Sequence, residues 1–139
     1  MITKSGSAHW AGGLRDGKGT VTTESGALNK TVYTFAKRFE DVAGTNPEEL
    51  LAAAHASCFS MALSNILSDY DMTADAIDTS AEVTLDPANL QIIEVQLTCK
   101  ARIPGGDADK FAEAAEKAKE GCPVSKLFKA RITLDASLD

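Results

Sequence analysis

Eighteen consecutive residues, Leu50 to Leu67, contain no Asp, Glu, Lys or Arg. A run this long and apolar is close to bilayer-spanning length. It also carries His55, Ser57, Ser60, Ser64 and Asn65, so a core helix of a globular protein is the better reading. Its start is well marked. Asn46 can cap, Pro47 suits the first helical position, and Glu48 and Glu49 suit the positive end of the helix dipole. The helix is expected to run to about Asp69. It is apolar nearly all round, so other elements must cover it on most sides.

The flanking segments predict sheets. Ala8–Ala11, Gly19–Thr23 and Thr31–Phe39 are short β-prone runs separated by Gly12-Gly13, Gly17 and Gly26. Beyond the helix, Ile77, Thr79, Ala81, Val83 and Leu85 alternate on one face of a strand. Ile93, Val95, Leu97, Cys99, Ala101 and Ile103 do so on the next. Asp86-Pro87-Ala88-Asn89 makes a hairpin turn between them. Asp107 can cap a second helix, with Phe111, Ala114, Ala115 and Ala118 as its apolar stripe and Gly121 as its stop. In the last strand Ala130, Ile132, Leu134, Ala136 and Leu138 share a face. The order predicts an α+β fold with mainly antiparallel sheets around a long buried central helix.

At 139 residues the chain fits a single domain, 1–139, with a core that needs no staples. The net charge of −6 argues against nucleic acid or an anionic membrane as the main partner. MITKSGSAHW has no apolar core of a secretory signal. A cytoplasmic location is therefore expected, with the three cysteines in a reducing compartment.

The cysteines differ in placement. Cys58 lies mid-helix, where core packing is the ordinary explanation. Cys122 stands between Gly121 and Pro123, where a helix ends on stiff backbone. There, filling and chemistry weigh equally. Cys99 lies on an apolar strand face and reads as inert. His55 and Cys58 are three apart on one helix, but two ligands make no metal site and no zinc-type spacing occurs. No third group presents itself to orient His55 for a cysteine hydrolase. His55 reads as a hydrogen-bonded core histidine.

The stretch from Gly44 through Asn46-Pro47-Glu48-Glu49-Leu50 and Ala54-His55-Ala56-Ser57-Cys58-Phe59-Ser60-Met61 to Leu63 resembles the central helix of the OsmC/Ohr family. This family comprises the osmotically inducible protein C and the organic hydroperoxide resistance proteins. Gly121-Cys122-Pro123-Val124-Ser125-Lys126 resembles its second cysteine motif. Ala8-His9-Trp10, Gly17-Lys18-Gly19-Thr20, Thr23-Glu24-Ser25-Gly26 and Ile132-Thr133-Leu134-Asp135 also fit, so the resemblance covers essentially the whole chain. Ala54-His55-Ala56 and Arg38-Phe39-Glu40 favour the OsmC branch.

The resemblance implies a thiol peroxidase with peroxiredoxin-like chemistry acting on organic hydroperoxides. It implies an intertwined homodimer with active sites at the interface, an external dithiol reductant, and no metal, haem or flavin. It places the peroxidatic thiol at Cys58, the resolving thiol at Cys122 and the acid at Glu48. The arginine falls on Arg38 in the OsmC-like pattern, and on Arg15 if the glycine-rich loop Gly12-Gly13-Leu14-Arg15-Asp16-Gly17 is read in the Ohr-like way.

On that scheme a guanidinium stabilises the Cys58 thiolate and Glu48 orients the guanidinium. Glu48 and Cys58 are ten residues apart on one helix, about 15 Å along its axis at about 1.5 Å per residue. Each site should then take its cysteines from one chain and Glu48 from the other. Phe59, Met61, Leu51 and Leu127 are candidates for an apolar wall favouring alkyl peroxides. The alternative is a non-enzymatic domain binding an apolar ligand, which needs neither cysteine. A general disulfide oxidoreductase would call for the missing C-x-x-C.

Overall fold

The computed structural model describes residues 1–139, which fall into two compact units, Met1–Leu50 and Leu51–Asp139.

The first unit is built on a three-stranded antiparallel sheet of β1 (Gly6–Ala11), β2 (Lys18–Thr23) and β3 (Thr31–Tyr33) in that order. Gly19 sits between Trp10 and Tyr33 in the register. Their rings close over it with centroids 5.5 Å apart. A Cβ on Gly19 would come within 2.5 Å of the Tyr33 ring, so the position requires glycine.

The run Thr31–Phe39, expected as one strand, is a strand only to Tyr33. Thr34 then caps a short helix, α1 (Phe35–Phe39), its hydroxyl accepting from the Lys37 N–H at 3.3 Å. A threonine inside a β-prone run had the alternative of closing a turn on its own backbone. Asn46 next caps the long helix α2 (Pro47–Leu67), accepting from the Glu49 N–H at 2.8 Å. Its amide also donates to the Lys37 carbonyl at 3.0 Å, tying the end of α1 to the start of α2.

Helix α2 continues through the second unit and closes in a 3-10 turn, Ser68–Tyr70. A second sheet follows: β4 (Ala76–Asp86), β5 (Gln91–Arg102) and, after α3 (Ala108–Gly121) and α4 (Pro123–Leu127), β6 (Arg131–Leu138). Strands β4 and β5 pair antiparallel through the expected turn, where the Asp86 carboxylate accepts from the Ala88 N–H at 3.0 Å and the Asn89 amide at 2.7 Å. Strand β6 pairs parallel to β5. Parallel neighbours need a crossover, and α3 and α4 supply it. The sheets are thus mainly antiparallel with one parallel edge.

The alternation in β4 and β5 is as expected with one exception. The register shifts after Thr84, pairing Leu85 with Ile92 and leaving Ile93 over. Ile93 is 47% exposed and does not join Val95, Leu97, Cys99 and Ala101 on the buried face. One extra residue in a ladder reverses the facing of what lies beyond it.

Against that face pack Phe59, Leu63 and Leu67 of α2 and Phe111, Ala114, Ala115 and Ala118 of α3. By length and composition α2 could cross a membrane, yet it contributes this stripe to the core. Cover on most sides was expected, and within the chain one stripe is buried. The buried residues are His55, Phe59, Leu63 and Leu67, spaced by four, while Ala53, Ala54, Ser57, Met61 and Ser64 on another face are exposed.

Candidate active site

Helix α2 presents Cys58 beside its core stripe, half-buried. Cys122 arrives from the far end of the unit. It ends α3, its backbone N–H bonding the Ala118 carbonyl at 3.0 Å. It also begins α4, its sulfur accepting from the Ser125 N–H at 3.3 Å. Pro123 occupies the first helical position with its φ already set. The break at Gly121-Cys122-Pro123 thus fixes where the Cys122 thiol points.

Cys58 is its neighbour: the two thiols lie close enough to affect each other's ionisation, and neither is in a disulfide. They line an open groove of about 580 Å³ with Met61, Ala62, Asn65, Ile66, Gly121 and Pro123. The Ser125 N–H bonds the Cys122 sulfur, and the Val124 N–H lies near enough to Cys58 to favour its thiolate. The groove lining carries no charged side chain. Burial pushes the Cys58 thiol up from its ordinary range. The Val124 N–H opposes this, and the neighbouring Cys122 thiol adds to the rise.

Arg38 and Glu48 meet within the first unit. Arg38 Nη2 reaches Glu48 Oε1 at 2.8 Å, and Nε lies 3.2 Å from each carboxylate oxygen. The guanidinium edge and the carboxylate are engaged in the forked manner that fixes orientation as well as distance. The Arg38 side chain is 38% exposed and that of Glu48 12%, so the pair is held yet open on the cation's side. Arg38 also lies 5.2 Å from the Phe39 ring centroid. Arg15, the other candidate, stacks over Phe35 at 4.6 Å.

Other expectations sort differently. Phe59 is fully buried and belongs to the core, not to an apolar wall; Met61 does line the groove. Leu51 and Leu127 are not part of that lining. Cys99 is buried on β5, its thiol pushed up by burial and pulled down by a hydrogen bond with Thr79. His55 is fully buried and hydrogen-bonded, its Nε2 lying 2.7 Å from Ser125 Oγ. That hydroxyl lies 3.1 Å from Cys122 Sγ. Ser125 stood in the second cysteine motif without a role of its own. Its one local signal is its place three residues after Cys122, where a cap's partner N–H falls.

Comparison with known proteins places the chain in a family. The model of the OsmC-like protein family matches residues 39–137, which include all three cysteines. The chain belongs to the OsmC family. It is 52% identical to the peroxiredoxin OsmC of Escherichia coli K12, over 99% of this chain and 97% of that protein. It is 26% identical to the organic hydroperoxide resistance protein OhrB of Bacillus subtilis, over 86% and 88% of the two chains. The fold also matches an OsmC-like protein of unknown function from Vibrio cholerae with a TM-score of 0.77, covering 98% and 99% of the chains at 16% identity.

Proposed function

We propose that the chain is a cysteine-based peroxidase that reduces organic hydroperoxides to alcohols, with Cys58 attacking and Cys122 resolving. The observation that carries this is the pair of reduced thiols brought together on one open, largely apolar groove from helices far apart in sequence. The names of the relatives, a peroxiredoxin and an organic hydroperoxide resistance protein, support the same chemistry. In the first step the Cys58 thiolate attacks the distal peroxide oxygen, the O–O bond breaks, and the alkoxide leaves with a proton as alcohol. The sulfenic acid then condenses with the Cys122 thiol to a disulfide and water. An external dithiol restores both thiols by exchange.

The thiolate needs help that its own surroundings withhold. Burial and Cys122 favour the neutral Cys58 thiol, and no cation lines its groove. The proposed source is Arg38 of a second copy, held by Glu48. Glu48 and Cys58 lie ten residues apart in the unbroken helix α2, about 15 Å along its axis, which favours a composite site in a homodimer. The exposed stripe of α2 around Met61, itself 78% exposed, offers a surface for that copy. On this reading residues 1–139 act as one domain, in a cytoplasm that keeps the thiols reduced.

A domain that merely binds an apolar ligand would use the same groove, whose volume of about 580 Å³ lies within the roughly 300–1,000 Å³ of ligand pockets, and would need neither cysteine. The deciding measurement is turnover of cumene hydroperoxide with a dithiol reductant. Cys58→Ser should abolish it; unchanged turnover would remove Cys58 as the attacking thiol, and a wild type without turnover would leave the binding reading. Cys122→Ser should perform one turnover and accumulate a dimedone-reactive sulfenic acid.

A further inference from the structure

Two polar groups stand in line behind the Cys122 sulfur, and the chemistry described so far uses neither of them. Ser125 Oγ is 3.1 Å from Cys122 Sγ, and His55 Nε2 is 2.7 Å from Ser125 Oγ. All three residues are buried: His55 fully, Cys122 at 1% exposure and Ser125 at 5%. The His55 ring is also fixed against Phe128, with centroids 5.4 Å apart. We propose that Ser125 and His55 form a proton relay that serves Cys122 in the resolving step, with His55 acting through Ser125 as a positioning and proton-holding residue. This rests on the peroxidase reading above and adds to it a role for two residues outside the thiol pair.

The argument starts from what the resolving step requires. As the new S–S bond forms, the Cys122 S–H bond must break and the S–O bond of the Cys58 sulfenic acid must break with its electron pair on oxygen. Cys122 sulfur is oxidised and Cys58 sulfur is reduced, and the net products are a disulfide and one water. The Cys122 proton therefore has to leave from a sulfur with almost no access to solvent.

A serine hydroxyl can accept one proton while donating its own. The Cys122 proton passes to Ser125 Oγ as the Ser125 proton passes to His55 Nε2. The departing hydroxide takes a proton from water at the open groove. His55 then gives up its proton through Ser125 to solvent, where it neutralises the hydroxide left by that water, which closes the balance.

The surroundings of His55 suit a transient holder. Burial keeps the imidazole neutral, hence able to accept a proton. Its Nδ1 is buried without a hydrogen-bond partner, so no carboxylate retains the proton once it arrives. The Ser125 N–H meanwhile stays on the Cys122 sulfur at 3.3 Å and supports the charge that develops as the proton leaves.

The test separates the two chemical steps. Fully reduced protein is mixed with one equivalent of cumene hydroperoxide. Peroxide loss, dimedone-trappable Cys58 sulfenic acid and the Cys58–Cys122 disulfide are followed in time. In Ser125→Ala, peroxide loss should keep its rate while disulfide formation slows by about 10²-fold, the lower end of general acid–base contributions. Sulfenic acid should accumulate accordingly. Ser125→Thr, which keeps the hydroxyl, should restore disulfide formation, and His55→Gln, which keeps a polar atom but holds no extra proton, should not.

Equal disulfide rates in Ser125→Ala and wild type overturn the relay and leave the peroxidase standing. A parallel fall of both steps also overturns it, since the serine then serves the groove as a whole. If wild-type protein consumes no peroxide at Cys58, the peroxidase reading fails and the relay fails with it. Should Ser125→Ala not fold, His55→Gln decides alone: an unchanged disulfide rate in the folded variant overturns the relay.

Discussion

His55 shows how one residue can be bland in sequence and consequential in space. Three residues before Cys58 on an apolar helix, it read as a core histidine, and it is one. Its partner lies 70 positions away, a separation no local pattern reveals. Burial lowers its pKa below the ordinary 6.5, and the sign follows. Between the folded and unfolded pKa values the unfolded chain binds the proton and the folded chain does not, so stability there rises with pH. The contribution is whole above 6.5 and is lost as pH falls below it. His55→Gln should lose part of this acid sensitivity. Urea midpoints of wild type and variant at pH 7 and pH 5 would check it, and an equal drop in both proteins would contradict the sign or the size of the shift.

At the scale of elements, the caps were legible and the tertiary choices were not. Asn46 and Asp107 act on the N–H groups their positions predict, at 2.8 Å to Glu49 and 3.0 Å to Lys110, because capping is settled within four residues. The faces of β4 and most of β5 followed from period two. The helix hidden in Thr31–Phe39, the bulge at Ile93 and the parallel seating of β6 did not. The helix turns on the local Thr34 cap, and the other two are decided by a partner strand or crossover that sequence alternation does not encode.

The Arg38–Glu48 bond joins α1 to α2 and illustrates the same division. The residues were singled out from the family resemblance, while their geometry comes from Thr34 and Asn46 setting the two helices. Since Arg38 is more than a third exposed, Glu48→Gln should cost no more than about 1 kcal/mol of stability. On the proposed mechanism it should cut peroxide turnover by more than tenfold. Comparable losses of stability and none of activity, seen by denaturation and cumene hydroperoxide assay, would make the pair merely structural.

For the whole molecule, the informative mismatch is the coverage of α2. An all-round apolar helix was expected to be enclosed, yet within one chain only the stripe from His55 to Leu67 is buried. The expectation concerned how much surface must be covered, and it said nothing of which chain covers it. If a second copy does so, a charge placed on the exposed stripe should separate the subunits while sparing the core. Met61→Glu should sediment as a folded monomer with little turnover, where wild type sediments as a dimer. A wild-type protein that sediments as an active monomer would end the composite-site proposal.

Cys122 holds two posts at once, since its sulfur is also the cap on which α4 begins. A cap of this kind contributes about 0.5–2 kcal/mol in the residues where it has been measured. The free sulfur accepts from the Ser125 N–H, and in a disulfide with Cys58 it would be a weaker acceptor. On the proposed chemistry the cap of the five residues Pro123–Leu127 is therefore firmest while the thiols are unspent.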